Sequence, residues 1–188
     1  MHKKKIAIVL MNLGGPDSLK AVRPFLYNLF ADPAIIQLPF PLRQILAWLI
    51  SARRYKKAEK IYEQLGGKSP LLENTQSQAK ALKKAIDSLM PEIDSKVFIA
   101  MRYWYPLTRE VIEDVSNFKP DKIILLPLYP QFSTTTVASS LILWKKLFRE
   151  KIATKTICCY PKEPGFVAAY QDLVRRTMAK APQNIPVR

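Results

Sequence analysis

The stretch MRYWYP, Met101 to Pro106, places one arginine and three aromatic rings directly after an apolar run. An arginine side chain is rarely buried without an anionic partner, because its guanidinium group stays charged at physiological pH. Arg102 can donate a forked pair of hydrogen bonds to a carboxylate, and Tyr103 adds a flat apolar face with a hydroxyl group. The stretch is therefore a candidate wall of a binding site. Core packing is the alternative for its aromatic rings, and it stays open for Trp104 and Tyr105.

Two further stretches are expected at the ends of strands. LGGPDS, Leu13 to Ser18, is a glycine turn whose backbone amides can hold an anion or approach a ligand closely. It matches neither GxGxxG nor a P-loop, so a plain tight turn explains it equally well. LYPQFSTTTVASS, Leu128 to Ser140, is a hydroxyl-rich loop that leads into a helix, where capping explains most of the Ser and Thr residues. Ligands of open α/β sheets bind at the carboxyl ends of the strands, where all three stretches are expected to lie.

A basic helical segment, SARRYKKAEKIYEQLGGKSP over residues 51–70, adds a fourth group of candidate residues. Tyr62 follows Arg54 by eight residues, which is just over two helical turns, so both side chains can face one side of a helix. The two glycines then end this helix, and Ser69 with the next proline begins another. A solvated basic face is the alternative interpretation of the segment.

Groups for acid–base catalysis are scarce in this sequence. His2 is the only histidine, so a Ser-His-Asp triad, a Cys-His pair or a histidine metal site cannot be assembled. Glu110, Glu113 and Asp114 share one predicted helix face, for which an exposed acidic surface is a simpler interpretation than an acid–base pair. No catalytic residue is predicted in this chain.

The two cysteines, Cys158 and Cys159, are adjacent in the run TKTICCY. Side chains of neighbouring residues on a strand point to opposite faces, so a disulfide between the two cysteines is not expected. We expect both cysteines to have a buried structural role instead. The absence of a CxxC pair argues against a metal site built by this chain. This cysteine usage favours a reducing cytoplasm.

Four apolar runs predict strands that are covered on both faces, because they lack polar alternation. They are KIAIVLMNL (5–13), KVFIAMRY (96–103), KIILLPL (122–128) and TKTICCY (154–160). Helical stripes lie between and after them, at Leu72 to Leu89, Val111 to Phe118 and Phe166 to Thr177. Strands that alternate with helices predict an α/β fold with a four-stranded parallel sheet flanked by helices, in a single domain over 1–188.

A long insertion between the first two strands, at about 17–90, is predicted to be helical throughout. The leucines and isoleucine at positions 42, 45, 46 and 49 form one apolar helical face there. Core packing is one explanation of this face, and an exposed apolar lip beside a pocket or membrane is the other. The surrounding segment Ile35–Ile50 is too short to span a bilayer and contains Pro39, Pro41 and Arg43, which leaves contact with a membrane surface open.

Composition indicates a globular protein with an anionic partner. Of 188 residues, 48% are hydrophobic and 24% are charged, and the net charge is +15. This charge is compatible with a nucleic acid, a membrane surface or an acidic small molecule. The apolar run near the N-terminus is short and ends at Gly14, so no secretory signal is predicted.

Read in order, five stretches resemble the ferrochelatase family. They are MNLGGPDS, the ARR…IYEQLGGKSPL segment, MRYWYPLT, LPLYPQFSTTTVASS and YPKEPGF, which together cover essentially the whole chain. The resemblance implies insertion of ferrous iron into protoporphyrin IX, the last step of haem biosynthesis. It also implies two similar α/β halves that hold the porphyrin in the cleft between them, of which this chain is similar to the N-terminal half.

The resemblance implies the binding residues as well. Arg54, Tyr62 and Ser69 would contact the porphyrin and its propionates, and Arg102 and Tyr103 would line the pocket. Leu13 would lie against the macrocycle, at a position where other members carry a different apolar or aromatic residue. The segment Ile35–Ile50 would be a hydrophobic lip at the mouth of the cleft, in peripheral contact with the inner face of the membrane.

The family's catalytic histidine, in an S-x-H-x-x-P motif, and its glutamate partner are absent from these 188 residues. The sequence reaches NIPVR where the strand of that motif is expected, so the chain alone is expected to be inactive, and a second polypeptide could carry the rest. No cysteine near Thr134 predicts an iron–sulfur cluster, and iron is expected only as a substrate. Two other classes stay open: a non-catalytic porphyrin or haem carrier, and a nucleic-acid binder supported by net charge alone.

Overall fold

A parallel four-stranded sheet forms the centre of the molecule, in a computed structural model that describes residues 3–180. The strands are β1 (Lys4–Asn12), β2 (Ile93–Met101), β3 (Lys122–Pro127) and β4 (Ala153–Thr156). They lie in the order β2-β1-β3-β4, and every pairing is parallel. The predicted α/β fold with a four-stranded parallel sheet is confirmed. The predictions for His2 and for the NIPVR segment lie outside the described residues.

Within residues 3–180, six α-helices connect and follow the strands. They are α1 (Val22–Phe30), α2 (Leu42–Gln64), α3 (Leu71–Leu89), α4 (Thr108–Phe118), α5 (Ser139–Leu147) and α6 (Pro164–Met178). The helical stripes predicted from the sequence correspond to α3, α4 and α6. Helix α3 begins one residue after Pro70, and the Ser69 hydroxyl accepts a hydrogen bond from the Leu71 N–H at 3.3 Å.

The core lies on both faces of β1, as expected for a strand without polar alternation. Ala7, Val9 and Met11 face one side, where the buried residues of α4 and α5 pack. Ile8 and Leu10 face the other side and pack against α3. The sheet is therefore covered by α3 on one face and by α4 and α5 on the other, which fixes the positions of the loops at its carboxyl edge.

The prediction that the insertion is helical throughout is wrong for the segment between α1 and α2. Helix α1 ends at Phe30, and α2 begins only at Leu42. Pro33, Pro39 and Pro41 fall in this gap, and proline lacks the N–H group that an α-helix requires in its interior. The interruption matters for the site, because it contains Asp32.

The prediction that residues 154–160 form a buried strand is also wrong. Strand β4 ends at Thr156, and all four of its residues are exposed. Because Cys158 and Cys159 lie beyond the strand, strand alternation does not separate their side chains. Cys158 is half-buried and Cys159 is exposed, contrary to the expectation of a buried structural role for the cysteines.

The first half of α2 presents an apolar face that the other described elements leave about half exposed. Leu42, Ile45, Trp48 and Leu49 are each about half exposed, and Phe40 before the helix is more exposed still. Core packing is therefore the wrong explanation of this face, and it is an exposed lip. Among the described residues, no helix has the length and hydropathy needed to cross a bilayer.

Candidate functional site

The strand order places a crevice at the carboxyl ends of β1 and β3. The chain connects β1 to β2 on one side of the sheet, whereas β3 lies on the other side of β1. In doubly wound sheets, ligands bind where the strand order reverses in this way, outside the carboxyl ends. The LGGP turn follows β1 and the LYPQFST loop follows β3, so both stretches lie at this position.

The LGGP turn packs closely against two distant segments. The Tyr103 N–H donates a hydrogen bond to the Leu13 carbonyl at 2.9 Å, and the Ser69 N–H donates to the Pro16 carbonyl at 2.8 Å. A Cβ atom at Gly15 would overlap the Ser69 hydroxyl group, so only glycine fits at that position. Three of the predicted binding residues, Leu13, Ser69 and Tyr103, therefore meet at the carboxyl edge of the sheet.

Replacing Gly14 by alanine is expected to lower the free energy of unfolding by about 2–4 kcal/mol. Gly14 has a φ of +84°, and a Cβ there would lie 2.9 Å from the Trp104 backbone nitrogen. Gly66 is a matched control, because its φ is +88° and a Cβ there meets no atom within 4 Å. We expect Gly66→Ala to cost about 1 kcal/mol, from backbone strain alone. Urea unfolding measures the free energy of unfolding of both variants. Equal losses of stability in the two variants would contradict the close packing of the turn.

A buried carboxylate, Asp32, organises the polar side chains beside this turn. Its Oδ2 atom accepts hydrogen bonds from the Tyr103 hydroxyl at 2.7 Å and from the Ser139 hydroxyl at 2.5 Å. The same atom pairs with Arg102 Nη2 at 2.7 Å, and Oδ1 accepts from the Ala34 N–H at 2.8 Å. Arg102 Nε also donates to the Ser139 oxygen at 2.8 Å. Asp32, Arg102, Tyr103 and Ser139 are called the Asp32 cluster below.

Burial and hydrogen bonding shift the pKa values of Asp32 and Tyr103 away from neutrality. Burial acts to raise the pKa of Asp32, but hydrogen bonds from Ser139, Ala34 and Tyr103 and the charge of Arg102 outweigh it and leave the pKa lowered. Burial and the hydrogen bond to Asp32 raise the pKa of Tyr103. Burial, with neighbouring Tyr103, also raises the pKa of Tyr129 in the loop after β3. Asp32 is therefore ionised and Tyr103 neutral near pH 7.

The anionic partner that Arg102 requires is supplied by the chain itself. Tyr103 is 1% exposed and belongs to the core, which differs from the expectation that it faces a ligand. The Arg102 side chain is 17% exposed and is turned toward Asp32. Asp32 is not among the residues predicted from the sequence. The signal for it is Arg102, because a buried arginine needs an acidic partner, and the sequence offers 15 acidic residues.

A cleft of about 470 Å³ borders the cluster on the side of α1, α4 and α5. Arg102 and Tyr103 lie on its wall, together with Asn28, whose side-chain amide donates to the Tyr103 carbonyl at 3.1 Å. Within residues 3–180, no three His, Cys, Asp or Glu side chains come together as a metal site would require. What the arrangement offers is a fixed guanidinium group on the wall of a cleft whose lining is partly apolar, with Leu143 and Leu147 alongside polar side chains.

Arg54 and Tyr62 lie on α2, apart from the other predicted site residues. The exposed Arg54 guanidinium is 6.0 Å from the ring centroid of Phe30, and Tyr62 is half-buried, which raises its pKa. The Tyr62 carbonyl accepts from the Gly67 N–H at 2.8 Å and so begins the turn that leads to Ser69. Among the described residues, neither side chain is hydrogen-bonded to the LGGP turn or the Asp32 cluster. Their predicted porphyrin contacts stay a prediction.

Comparison with known proteins identifies the family. The family model described as ferrochelatase matches residues 5–188, which is nearly the whole chain. The chain belongs to the ferrochelatase family. Similar curated ferrochelatases include that of Caulobacter vibrioides (strain NA1000 / CB15N), which is 52% identical over 184 residues, covering 97% of this chain and 53% of the relative. The Rickettsia bellii (strain OSU 85-389) protein is 53% identical over 175 residues, covering 93% of this chain and 49% of the relative.

The chain spans about half the length of the curated ferrochelatases it matches. A third relative, from Phenylobacterium zucineum (strain HLK1), is 50% identical over 184 residues, covering 98% of this chain and 54% of the relative. The resemblance stated from the sequence is thus confirmed at the level of the ferrochelatase family. The single four-stranded sheet agrees with one ferrochelatase half.

Proposed function

We propose that this chain is the porphyrin-binding half of a ferrochelatase, which inserts ferrous iron into protoporphyrin IX in the last step of haem biosynthesis. The observation that carries the proposal is the convergence of Leu13 and Ser69 on the sheet edge beside Arg102 and Tyr103, in a chain of this family. Protoporphyrin is a large, flat, apolar ring with two carboxylates, and such a ligand needs apolar walls and a few basic anchors.

The roles of the two arginines differ in this proposal. Arg102 is paired with Asp32, so its charge is already balanced within the protein. Arg54 is exposed and has no carboxylate partner among the described residues. We therefore assign the anchoring of a propionate to Arg54, with Tyr62 and Ser69, and we assign to Arg102 and Tyr103 the shape of the pocket wall.

The surroundings of the site complete the proposal. The exposed lip on α2 would lie at the cleft mouth, within the segment Ile35–Ile50, and would touch the inner face of the membrane from the cytoplasm. Iron enters as a substrate, with no iron–sulfur cluster and no nucleic acid as a partner. A non-catalytic porphyrin carrier is the second candidate, because these 188 residues contain a single histidine.

Titration of protoporphyrin IX into the chain, followed by tryptophan fluorescence, tests the binding. Arg54→Ala is expected to weaken binding about fivefold, as a charge-assisted contact at an exposed position is worth about 1 kcal/mol. Arg53→Ala is the matched control, because Arg53 is an exposed neighbour on the same helix. Its affinity for protoporphyrin IX should stay within about twofold of that of the unchanged chain.

Two results would count against this proposal. Equal affinity of the unchanged chain and the Arg54→Ala variant would remove Arg54 from the site. No porphyrin binding, together with strongly salt-dependent binding to DNA, would favour the nucleic-acid class instead.

A further inference from the structure

Strand β4 is exposed on the face of the sheet that carries α4 and α5. Thr154 and Thr156 pair in register with Ile123 and Leu125 of β3, so their side chains point to the same face as those two residues. On β3, this face packs against the buried Trp144 of α5. On β4, both threonines are exposed. A gap therefore remains between α5 and β4.

The gap is a cavity of about 340 Å³, which is called the β4 cavity below. This volume lies at the lower end of the range for small-molecule sites, about 300–1,000 Å³. Trp144 and Phe148 line it with stacked rings, whose centroids are 5.4 Å apart and whose planes differ by 20°. The other apolar and hydroxyl-bearing residues of its lining are Leu125, Leu141, Thr154 and Thr156. The cavity is therefore suited to a small molecule with a flat apolar body.

The charges around the β4 cavity favour an anionic ligand. Lys145 and Glu150 complete its lining, and both are exposed. None of the ion pairs found within residues 3–180 involves Lys145. A local excess of positive charge raises the concentration of anions at a site. Against the single acidic Glu150, the segment 145–155 carries five basic residues, which are Lys145, Lys146, Arg149, Lys151 and Lys155.

We propose that the β4 cavity binds a small organic acid with an aromatic body. The ring of this ligand packs against Trp144 and Phe148, and its carboxylate accepts hydrogen bonds from Lys145 and from the Thr156 hydroxyl. The neighbouring Thr154 hydroxyl already donates to the Ile152 carbonyl at 3.0 Å. The β4 cavity shares no residue with the LGGP turn or the Asp32 cluster, so this proposal goes beyond the proposed function and does not depend on it.

Titration of 3-phenylpropionate into the nitrogen-15-labelled chain, followed by NMR, tests the proposal. The chain has three tryptophans, so the indole N–H signal that remains in both Trp48→Phe and Trp104→Phe belongs to Trp144. This signal should shift saturably, with a Kd of about 1 mM or below. Acetate lacks the ring and should cause no saturable shift. The uncharged 3-phenylpropanol should bind about two- to fivefold more weakly than the acid.

Filling the cavity with a protein side chain should remove the binding. Thr154→Phe is expected to weaken the affinity for 3-phenylpropionate at least about tenfold, because the new ring takes the space of the ligand's ring. An exposed strand position accepts phenylalanine well, so the variant should fold. Ala153→Phe is the matched control, because Ala153 is an exposed neighbour on β4 that points to the opposite face of the sheet. Its affinity should stay within about twofold of that of the unchanged chain.

Two charge variants test the sign of the interaction. Lys145→Gln should weaken the binding of 3-phenylpropionate about two- to fivefold, as expected for one exposed charge. Glu150→Gln removes the one carboxylate of the lining and should strengthen the binding by a similar factor. Neither variant should change the affinity for 3-phenylpropanol.

Three results would overturn the proposal. The first is no saturable shift of the Trp144 signal up to about 10 mM 3-phenylpropionate, ten times the expected Kd. The second is equal affinity of Thr154→Phe and the unchanged chain. The third is tighter binding of 3-phenylpropanol than of the acid, which would identify a neutral apolar molecule as the ligand. Protoporphyrin titration of Thr154→Phe is a separate readout and should match that of the unchanged chain.

Discussion

Replacing Asp32 by alanine is expected to lower the free energy of unfolding by about 3–5 kcal/mol, the cost of breaking a buried ion pair from one side. The substitution leaves the Arg102 guanidinium, the Tyr103 hydroxyl and the Ser139 hydroxyl without their shared acceptor. Each buried donor that loses its partner keeps the full cost of its removal from water. A loss of this size is large against the 5–15 kcal/mol that stabilises an ordinary domain.

The chain contains a matched control for this substitution. Asp172 pairs with Arg176 on α6, but both side chains are more than half exposed. Asp172→Ala is therefore expected to cost at most about 0.5 kcal/mol, because exposed pairs are well solvated whether or not they meet. Urea unfolding of the two variants measures the difference. If Asp32→Ala costs no more than Asp172→Ala, the cluster does not hold the fold together.

The same carboxylate gives stability a defined dependence on pH. The pKa of Asp32 is lower in the folded chain than in the unfolded chain, where it is about 3.9. As the pH falls, the unfolded chain binds the proton first, so the contribution of Asp32 is complete above about pH 4 and is lost as the pH falls through the folded pKa. The unchanged chain should lose more stability than Asp32→Asn over this acid range.

The second large effect concerns metal insertion. We expect the 188-residue chain, given protoporphyrin IX and ferrous iron, to produce metalloporphyrin no faster than the uncatalysed reaction. Insertion must remove protons from the pyrrole nitrogens, and a general base works best when its pKa is near the working pH. In the described site, the pKa of Asp32 is lowered and the pKa values of Tyr103 and Tyr129 are raised, so none of these groups fits that role.

Addition of the unmatched part of the Caulobacter relative should raise the insertion rate at least about 100-fold, as expected when a positioned base is supplied. Controls are that part alone and the heat-unfolded chain mixed with it. Metalloporphyrin formation is followed by absorbance, with zinc as an air-stable substitute for iron. A rate for the chain alone within tenfold of the full-length relative would refute the need for a second half. Strong porphyrin binding without restored insertion would favour the carrier function.

Local patterns in the sequence are sufficient to predict the inner strands and most helices. Strands β1 and β3 are apolar runs closed by turn residues, and α3 combines a regular stripe with the Ser69–Pro70 start. Each of these signals lies within one segment of the chain. The parallel sheet then follows from the alternation of strands and helices.

Local sequence patterns do not show which distant segments of the chain pack together. Asp32 lies in a short irregular segment with no periodicity, and it is important only because Arg102 and Ser139 come to it in three dimensions. The run 154–160 was predicted to be a covered strand, although its residues through Cys159 are mostly exposed, and for α6 the sequence predicted only a helix with an apolar stripe. An apolar stripe shows that one face of a helix needs a packing partner. It does not show which segment packs on that face, because that depends on residues far away in the sequence.

The members of the Asp32 cluster are synthesised at different times, because they lie far apart in the chain. Asp32 and Ser139 are 107 residues apart in the chain, and Asp32 and Tyr103 are 71 apart. At about 5–20 residues per second, roughly 5–20 s pass between the synthesis of Asp32 and that of Ser139. During this interval the carboxylate lacks one of its donors, so the Asp32 cluster of a nascent chain can be completed only after α5 has begun to emerge from the ribosome.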